Sequence, residues 1–191
     1  MASAVSHRRG EHVRQLVLDA AFDELVENGV EAATVAGVAR RCGVHETTIY
    51  RRWTTRENLL VDAMLRRGAH SIPDPDTGST RDDLLAVARS LAAYLNSAAG
   101  KAALYAGTLR ADAEYDRARL AFWEGRIEAL TPVVRRGVAR GDLRAEADPR
   151  LVLGMLLTPL QGRVLFSDEP IPDDMPECLV DILLGGAATR R

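Results

Sequence analysis

The chain is poor in cysteine, lysine and aromatic residues. Its two cysteines, Cys42 and Cys178, lie far apart and belong to no C-x-x-C pair. That number and spacing argue against a disulfide framework and against a zinc site. Only 5% of the residues are aromatic, while alanine, leucine and arginine dominate. This balance favours helices over strands.

Long apolar runs and catalytic motifs are also missing. The longest strongly apolar run without a charge, 151–162, is too short to span a bilayer. The polar N-terminus lacks the apolar stretch of a signal peptide. We find no Ser/His/Asp set, no glycine-rich phosphate loop and no metal-ligand spacing among the four histidines. We therefore expect a cytoplasmic protein that is not an enzyme and holds no metal or cofactor.

The net charge of −2 argues against nonspecific coating of nucleic acid. Lys101 is the single lysine, so the positive charge is carried almost entirely by arginine. If the protein binds DNA, it must do so through a local basic patch.

Apolar residues recur at helical spacing along most of the chain, which predicts an all-α fold. The first helix is expected to end at Asn28-Gly29, a typical C-terminal signal. Thr54 and Glu57 have the spacing of a capping box at the start of the fourth helix. Three short helices are predicted after the first, over about 34–41, 45–53 and 54–67.

The segment 70–80, HSIPDPDTGST, has the composition of a loop, and we place a domain boundary there. The predicted domains are 11–71 and 72–191. In the second domain, Pro132 and Pro159 fall inside predicted helices and suggest kinks or breaks. The helices predicted there cover about 81–97, a short segment to 110, 114–140, 148–166 and 175–184.

The segment 34–53, TVAGVARRCGVHETTIYRRW, carries the functional signal. Its apolar positions allow two short helices to pack against each other, and Gly43 permits the positive φ of a tight turn. The second of these helices keeps hydrogen-bonding and cationic groups on its outer side, which suits the DNA major groove. The alternative is a helical hairpin inside an ordinary bundle.

The longer pattern around this segment resembles the DNA-binding domain of the TetR family of bacterial transcriptional regulators. The resemblance covers about 50 residues and lies in Thr34, Val38-Ala39, Gly43-Val44, Thr48-x-Tyr50-x-x-Trp53 and Arg56-Glu57-x-Leu59. It implies an N-terminal three-helix, helix-turn-helix DNA-binding domain and a C-terminal helical-bundle domain for regulation and dimerisation.

The resemblance also implies roles for individual residues. Thr34 would cap the second helix, and Thr34, Tyr50 and Arg56 would contact phosphates. Base-reading positions would be occupied by Glu46, Thr47 and Arg51, with His45 and Thr48 beside them on the DNA-facing helix.

Three residues depart from the family's pattern. His45 replaces a capping Ser or Thr, Thr47 replaces a common Gly, and Trp53 replaces Phe or Tyr. The first two alter the DNA-facing surface and leave the operator sequence unpredictable.

For the second domain, the resemblance implies a small-molecule pocket among the helices. Aromatic and Met residues at helical spacing are also common in plain cores, so both interpretations stay open. The pocket candidates are Leu91, Tyr94, Tyr105, Trp123, Ile127 and Met155.

The predicted helix 151–166 is apolar on nearly all sides and must bury more than one face. In the family, the last two helices pair with those of a second subunit. The alternative is a fully buried central helix in a monomer. Our candidates for the dimer interface are Leu153, Leu157, Val164, Leu179 and Leu183.

Together these features predict a ligand-responsive repressor that binds a palindromic operator as a homodimer and is released by a small molecule. The second hypothesis is a regulator of the same family without a small-molecule ligand, controlled by a protein partner. The third, a helical-bundle enzyme, lacks any supporting motif.

Overall fold

The computed structural model describes residues 2–67, 74–167 and 169–187, and these residues form nine α-helices and no strand. The all-α prediction is confirmed. α7 and α8 continue through Pro132 and Pro159, where we predicted kinks or breaks. The helices are α1 (Ala2–Ala32), α2 (Val35–Cys42), α3 (Glu46–Trp53), α4 (Arg56–Arg67), α5 (Thr80–Asn96), α6 (Ala98–Ala106), α7 (Ala113–Ala139), α8 (Pro149–Ser167) and α9 (Met175–Ala187).

The chain forms two compact units. The first comprises Met1–Ala69 with Ala98–Leu120, and the second comprises His70–Ser97 with Ala121–Arg191. The predicted boundary between 71 and 72 lies outside the described residues. This division differs from a single cut because α6 packs against α1 and α4 and so joins the first unit. α7 begins in the first unit and continues in the second.

In the first unit, local signals in the sequence set the ends of α1 and α2. Gly29 interrupts the helical backbone of α1 with φ 74° and ψ 170°, at the predicted stop. Thr34 caps α2, since its hydroxyl accepts a hydrogen bond from the Gly37 N–H at 3.0 Å. Gly43 ends α2 in the left-handed region with φ 67°. The predicted cap at Thr34 and the predicted positive φ at Gly43 are confirmed.

The turn between α3 and α4 differs from the predicted capping box. Thr54 is not the cap: it adopts φ 61° and ψ −48°, and its N–H closes the end of α3 on the Tyr50 carbonyl. Thr55 caps α4 instead, because its hydroxyl accepts from the Asn58 N–H at 3.2 Å. The box prediction was therefore wrong by one residue, which places Asn58 rather than Glu57 at the third helical position.

In the second unit, α5, α8 and α9 pack against one another, and α8 has both a buried and an exposed apolar face. Four of the five predicted interface residues lie on the inner face: Leu153, Leu157, Val164 and Leu183 are buried, whereas Leu179 is half-buried. Residues already enclosed in the unit's own core cannot form the surface of a second contact. The exposed large apolar side chains are Leu151, Met155, Phe166 and Ile182.

A buried carboxylate organises the start of α5. Asp83 has no exposed surface, accepts hydrogen bonds from the N–H and hydroxyl of Thr77 at 2.8 and 2.7 Å, and pairs with Arg140 of α7 at 3.1 Å. Burial alone would raise the pKa of Asp83, but the bonds from Thr77 and Arg140 outweigh it and hold the pKa below its ordinary value.

This lowered pKa predicts an acid-dependent loss of stability. The ionised form of Asp83 is favoured in the folded state, so its contribution is present above the ordinary pKa of 3.8 and is lost as the pH falls through the lower folded value. We expect Asp83→Asn to reduce the free energy of unfolding at neutral pH by about 1–3 kcal/mol and to flatten its decline below about pH 4. Chemical denaturation at a series of pH values from about 2 to about 7, which span the titration of Asp83, measures both effects.

The control is Asp82→Asn, which removes a neighbouring exposed carboxylate but keeps the Thr77 and Arg140 contacts of Asp83. Equal losses in the two variants at neutral pH would contradict the role assigned to Asp83.

Candidate DNA-binding surface

α3 presents one polar face and is held to the unit by the other. Ile49 and Trp53 are 1% and 2% exposed and fix the inner face. The predicted DNA-facing residues of α3 and its cap therefore share the outer side, with Thr48 half-buried and the others exposed. Those exposed groups are His45, Glu46, Thr47, Tyr50 and Arg51, with Arg52 beside them.

The N-terminus of α3 lacks a side-chain cap. His45 has extended backbone at the cap position, and its imidazole accepts no hydrogen bond from the first turn. The loss expected from the replacement of Ser or Thr is confirmed. The N–H groups of Thr48 and Ile49 donate to the His45 carbonyl, so those of Glu46 and Thr47 are the ones open to an oxygen ligand from outside the helix.

The indole of Trp53 is tied to two other helices through one carboxylate. Its Nε1 donates to Asp62 Oδ2 of α4 at 2.9 Å, and Arg14 of α1 donates to Asp62 Oδ1, also at 2.9 Å. A buried indole N–H needs an acceptor, and Asp62 supplies it. This contact accounts for a Trp at a position where the family usually has Phe or Tyr.

Asn58 is a second anchor of the α3 end. It is 2% exposed, and its Nδ2 donates to the Trp53 carbonyl at 2.8 Å and to Asp112 Oδ2 at 2.7 Å. Its Oδ1 accepts from the Asp112 N–H at 3.0 Å. Sequence patterns did not reveal the roles of Asp62 and Asn58, because their partners lie far away along the chain or across a turn of unusual backbone.

Arg56, a predicted phosphate contact, is engaged within the protein. Its Nη1 donates to the carbonyls of Val30 and Ala33 at 2.6 and 3.1 Å, and its Nε donates to Glu57 at 3.1 Å. These bonds satisfy carbonyls at the irregular end of α1. A phosphate would have to share this guanidinium with three internal acceptors.

Thr34 is exposed and uses its oxygen as the cap of α2, so its hydroxyl hydrogen stays available for a phosphate. Behind α2, Glu24 pairs with Arg41 at 2.7 Å, and Glu27 pairs with the same guanidinium. Arg41 is thereby neutralised. A Cβ at Gly37 would collide with the Glu24 carboxylate, which would then have to move from its present position beside Arg41.

A groove of about 450 Å³ runs between α1 and α3, and arginines line it. Arg51 and Arg52 approach it from α3, and the Arg52 guanidinium lies 5.6 Å from the Trp53 ring centroid. Among the described residues, Arg51 forms no ion pair with an acid. Its charge therefore remains available to an anionic or acceptor-rich partner.

The predicted pocket residues are divided between the two units. Tyr105 belongs to the first unit, whereas Leu91, Tyr94, Trp123 and Ile127 belong to the second. Met155 was wrongly assigned to an internal pocket: it is 56% exposed and lines an outer surface pocket of about 380 Å³ with Leu151 and Ile182. Leu91 is buried, and Tyr94, Trp123 and Ile127 are half-buried.

Neither a metal centre nor a membrane span is found in the ranges 2–67, 74–167 and 169–187. No group of three His, Cys, Asp or Glu side chains is arranged there to hold a metal ion. None of the described helices combines the length and the apolar character needed to cross a membrane.

The tie between Trp53 and Asp62 predicts a specific coupling energy. Asp62→Ala leaves the indole N–H and Arg14 without their acceptor, and we expect it to lower the free energy of unfolding by about 2–3 kcal/mol. In a Trp53→Phe background no indole N–H is orphaned, so the same substitution should cost about 1 kcal/mol less. Urea denaturation of the four proteins of the cycle gives the coupling.

Asp19→Ala is the control, because it breaks a more exposed pair with Arg66 in the same unit. If Asp62→Ala lowers the free energy of unfolding equally in the wild-type and Trp53→Phe backgrounds, Asp62 stabilises Arg14 alone and does not hold α3.

Comparison with known proteins identifies the family. The family model for bacterial regulatory proteins of the tetR family matches residues 17–63, and that for the tetracyclin repressor-like C-terminal domain matches 74–183. The HTH-type transcriptional regulator AqdR of Rhodococcus erythropolis is 36% identical over 93% of this chain and 86% of its own length.

Two further relatives agree along nearly the whole chain. The DNA-binding transcriptional repressor TetR of Mycobacteroides abscessus is 28% identical over 92% of this chain and 94% of its own. The crystal structure of the TetR family transcription regulator SCO0332 has a TM-score of 0.68 and 29% identity, covering 93% of this chain and 99% of that one. The chain belongs to the TetR family and is a transcriptional regulator with a helix-turn-helix DNA-binding domain.

Proposed function

We propose that the protein is a ligand-responsive repressor that binds a palindromic operator as a homodimer and releases it when a small molecule binds. The observation that carries this proposal is the exposed face of α3, whose inner side is locked by Trp53, Asp62 and Asn58. A rigidly held helix can place base-reading groups in the major groove with little loss of conformational entropy.

The chemistry of the α3 face supports sequence reading. The guanidinium of Arg51 can donate two hydrogen bonds to guanine O6 and N7, the Thr47 methyl can contact a thymine methyl, and the Glu46 carboxylate can accept from cytosine N4. Tyr50 is 46% exposed and can donate to a phosphate. In this arrangement, phosphate contacts fix the register and Arg51 gives the strongest base preference.

We expect Arg51→Ala to weaken binding to the operator by about 1–3 kcal/mol and to relax the preference at one base pair of each half-site. The measurement is a binding titration over a salt series with duplexes from the DNA flanking the gene, in competition with random duplex. Tyr50→Phe, which removes a phosphate donor without removing a charge, should weaken all duplexes alike.

Arg66→Ala is the matched control, since it removes one positive charge from the far end of α4, where Arg66 pairs with Asp19. Unchanged base preference in Arg51→Ala would remove Arg51 from the reading positions. If Arg66→Ala weakened operator binding equally, the loss in Arg51→Ala would be a general effect of charge and not of base reading.

The proposed dimer uses the outer face of α8 and α9. Leu151, Met155 and Ile182 are 61%, 56% and 74% exposed, and together they line one surface pocket. Clustered exposed apolar side chains are typical of protein contacts. A two-fold contact through this face would present two α3 helices to the two halves of a palindrome.

We expect Ile182→Glu to convert a dimer into a monomer, because it buries a charge in the proposed apolar contact. Operator affinity should fall with it, while the unit stays folded because Ile182 is exposed. Light scattering coupled to size-exclusion chromatography gives the mass. The control is Leu120→Glu, which alters an apolar side chain of the first unit that is 54% exposed. The assigned face would be contradicted if Leu120→Glu were also a monomer, or if Ile182→Glu remained a dimer.

Repression and release are supported by two observations. A relative that matches along nearly the whole chain is named a DNA-binding transcriptional repressor. α7 belongs to both units, and Asp112, one residue before it, holds Asn58 and through it the end of α3. If α7 can adopt two positions, a ligand that binds one of them more tightly would therefore change the operator affinity.

A further inference from the structure

One arginine of the second unit lies against an aromatic ring and has no acid partner among the described residues. Arg126 of α7 is half-buried, and its guanidinium carbon lies 5.5 Å from the Phe122 ring centroid. Phe122 and Trp123 meet edge to face, with centroids 5.2 Å apart. The positive charge of Arg126 lowers the pKa of Tyr94 of α5, against the larger opposing effect of burial. These four side chains form what we call the aromatic-arginine cluster.

In the part of the chain that the structure describes, no carboxylate pairs with Arg126, and burial lowers its pKa with only Tyr94 acting in the opposite sense. Burial also raises the pKa of Tyr94, so its phenol is neutral at physiological pH and does not offset the charge.

Three other arginines of the second unit are paired with acids. Arg136 pairs with Asp74, Arg140 with Asp83, and Arg81 with Glu177 and Asp181. A partly desolvated guanidinium without a counter-ion is unfavourable, and a cation–π contact offsets only part of that cost. Arg126 is thus a cation poised for an external anion, and the neighbouring rings suit an apolar group attached to that anion.

We propose that the aromatic-arginine cluster binds the carboxylate end of a small organic acid with a planar apolar body. This inference rests on the proposed ligand-responsive function, because it names the chemical class of the effector. The planar guanidinium of Arg126 pairs with both carboxylate oxygens, and the rings of Trp123 and Phe122 contact the apolar body. A neutral analogue of the same shape lacks the ion pair and binds more weakly.

The test uses the full-length protein and matched pairs of probes, 2-naphthoate with 2-naphthamide and indole-3-acetate with indole-3-acetamide. Calorimetric titration gives the affinities. We expect the wild-type protein to bind at least one acid about 10- to 100-fold more tightly than its amide, the range that a charged hydrogen bond provides. Arg126→Met should abolish that preference without weakening the amide.

Arg135→Met is the control, because Arg135 is an exposed arginine of the same helix and should leave the preference intact. Thermal denaturation without ligand provides a second readout. Removal of an uncompensated cation should leave Arg126→Met as stable as the wild type or more stable. A clear loss of stability would assign Arg126 to a structural contact with Phe122, and absence of an acid-over-amide preference in the wild type would equally overturn the proposal.

A measurement of operator release distinguishes failure of the anion site from failure of the proposed ligand-responsive function. If a carboxylate binds through Arg126 but leaves the operator complex intact, the anion site stands and release by this ligand fails. If neutral compounds release the operator equally from wild type and Arg126→Met, ligand-responsive repression stands and the anion site fails.

Discussion

The recognition helix depends on the buried indole of Trp53. A short helix of eight residues has little stability of its own, and α3 also lacks a side-chain cap at His45. Its position must therefore come from tertiary contacts: the ring is enclosed, its N–H is bound by Asp62, and the carbonyl of the same residue is bound by Asn58. α3 is thus fixed at its C-terminal end, whereas its N-terminal turn has no side-chain cap.

The same anchor links α3 to the rest of the chain. Asp62 connects it to Arg14 on α1, and Asn58 connects it to Asp112, between α6 and α7. Asn58 and Asp112 exchange two hydrogen bonds, so a shift of one strains both bonds at once. A two-bond contact of this kind transmits a displacement better than apolar packing, which can slide at little cost.

Sequence reasoning succeeded where the cause is local. The cap at Thr34, the positive φ at Gly43 and the missing cap at His45 each depend on a residue and its near neighbours. It failed where two local solutions compete or where the partner is distant. Threonine, a residue type that commonly caps helices, occupies both positions 54 and 55, and only the backbone of the turn makes Thr55 the cap of α4. The periodicity of α8 showed two apolar faces but did not rank them, so Leu153 and Leu157 were placed outside and Met155 inside.

The distribution of arginine charge explains how a chain with net charge −2 can present a cationic surface. Arg14, Arg41 and Arg56 are engaged by acids or carbonyls and act as parts of the framework. Arg51 has no such engagement among the described residues, and it lies on the helix that would enter the major groove. A charge that folding does not use carries no internal interaction that must be broken when a phosphate or base binds. The same comparison separates Arg126, which is half-buried and has no acid partner among the described residues, from its paired neighbours Arg136 and Arg140. Binding an anion at Arg126 would break no internal ion pair.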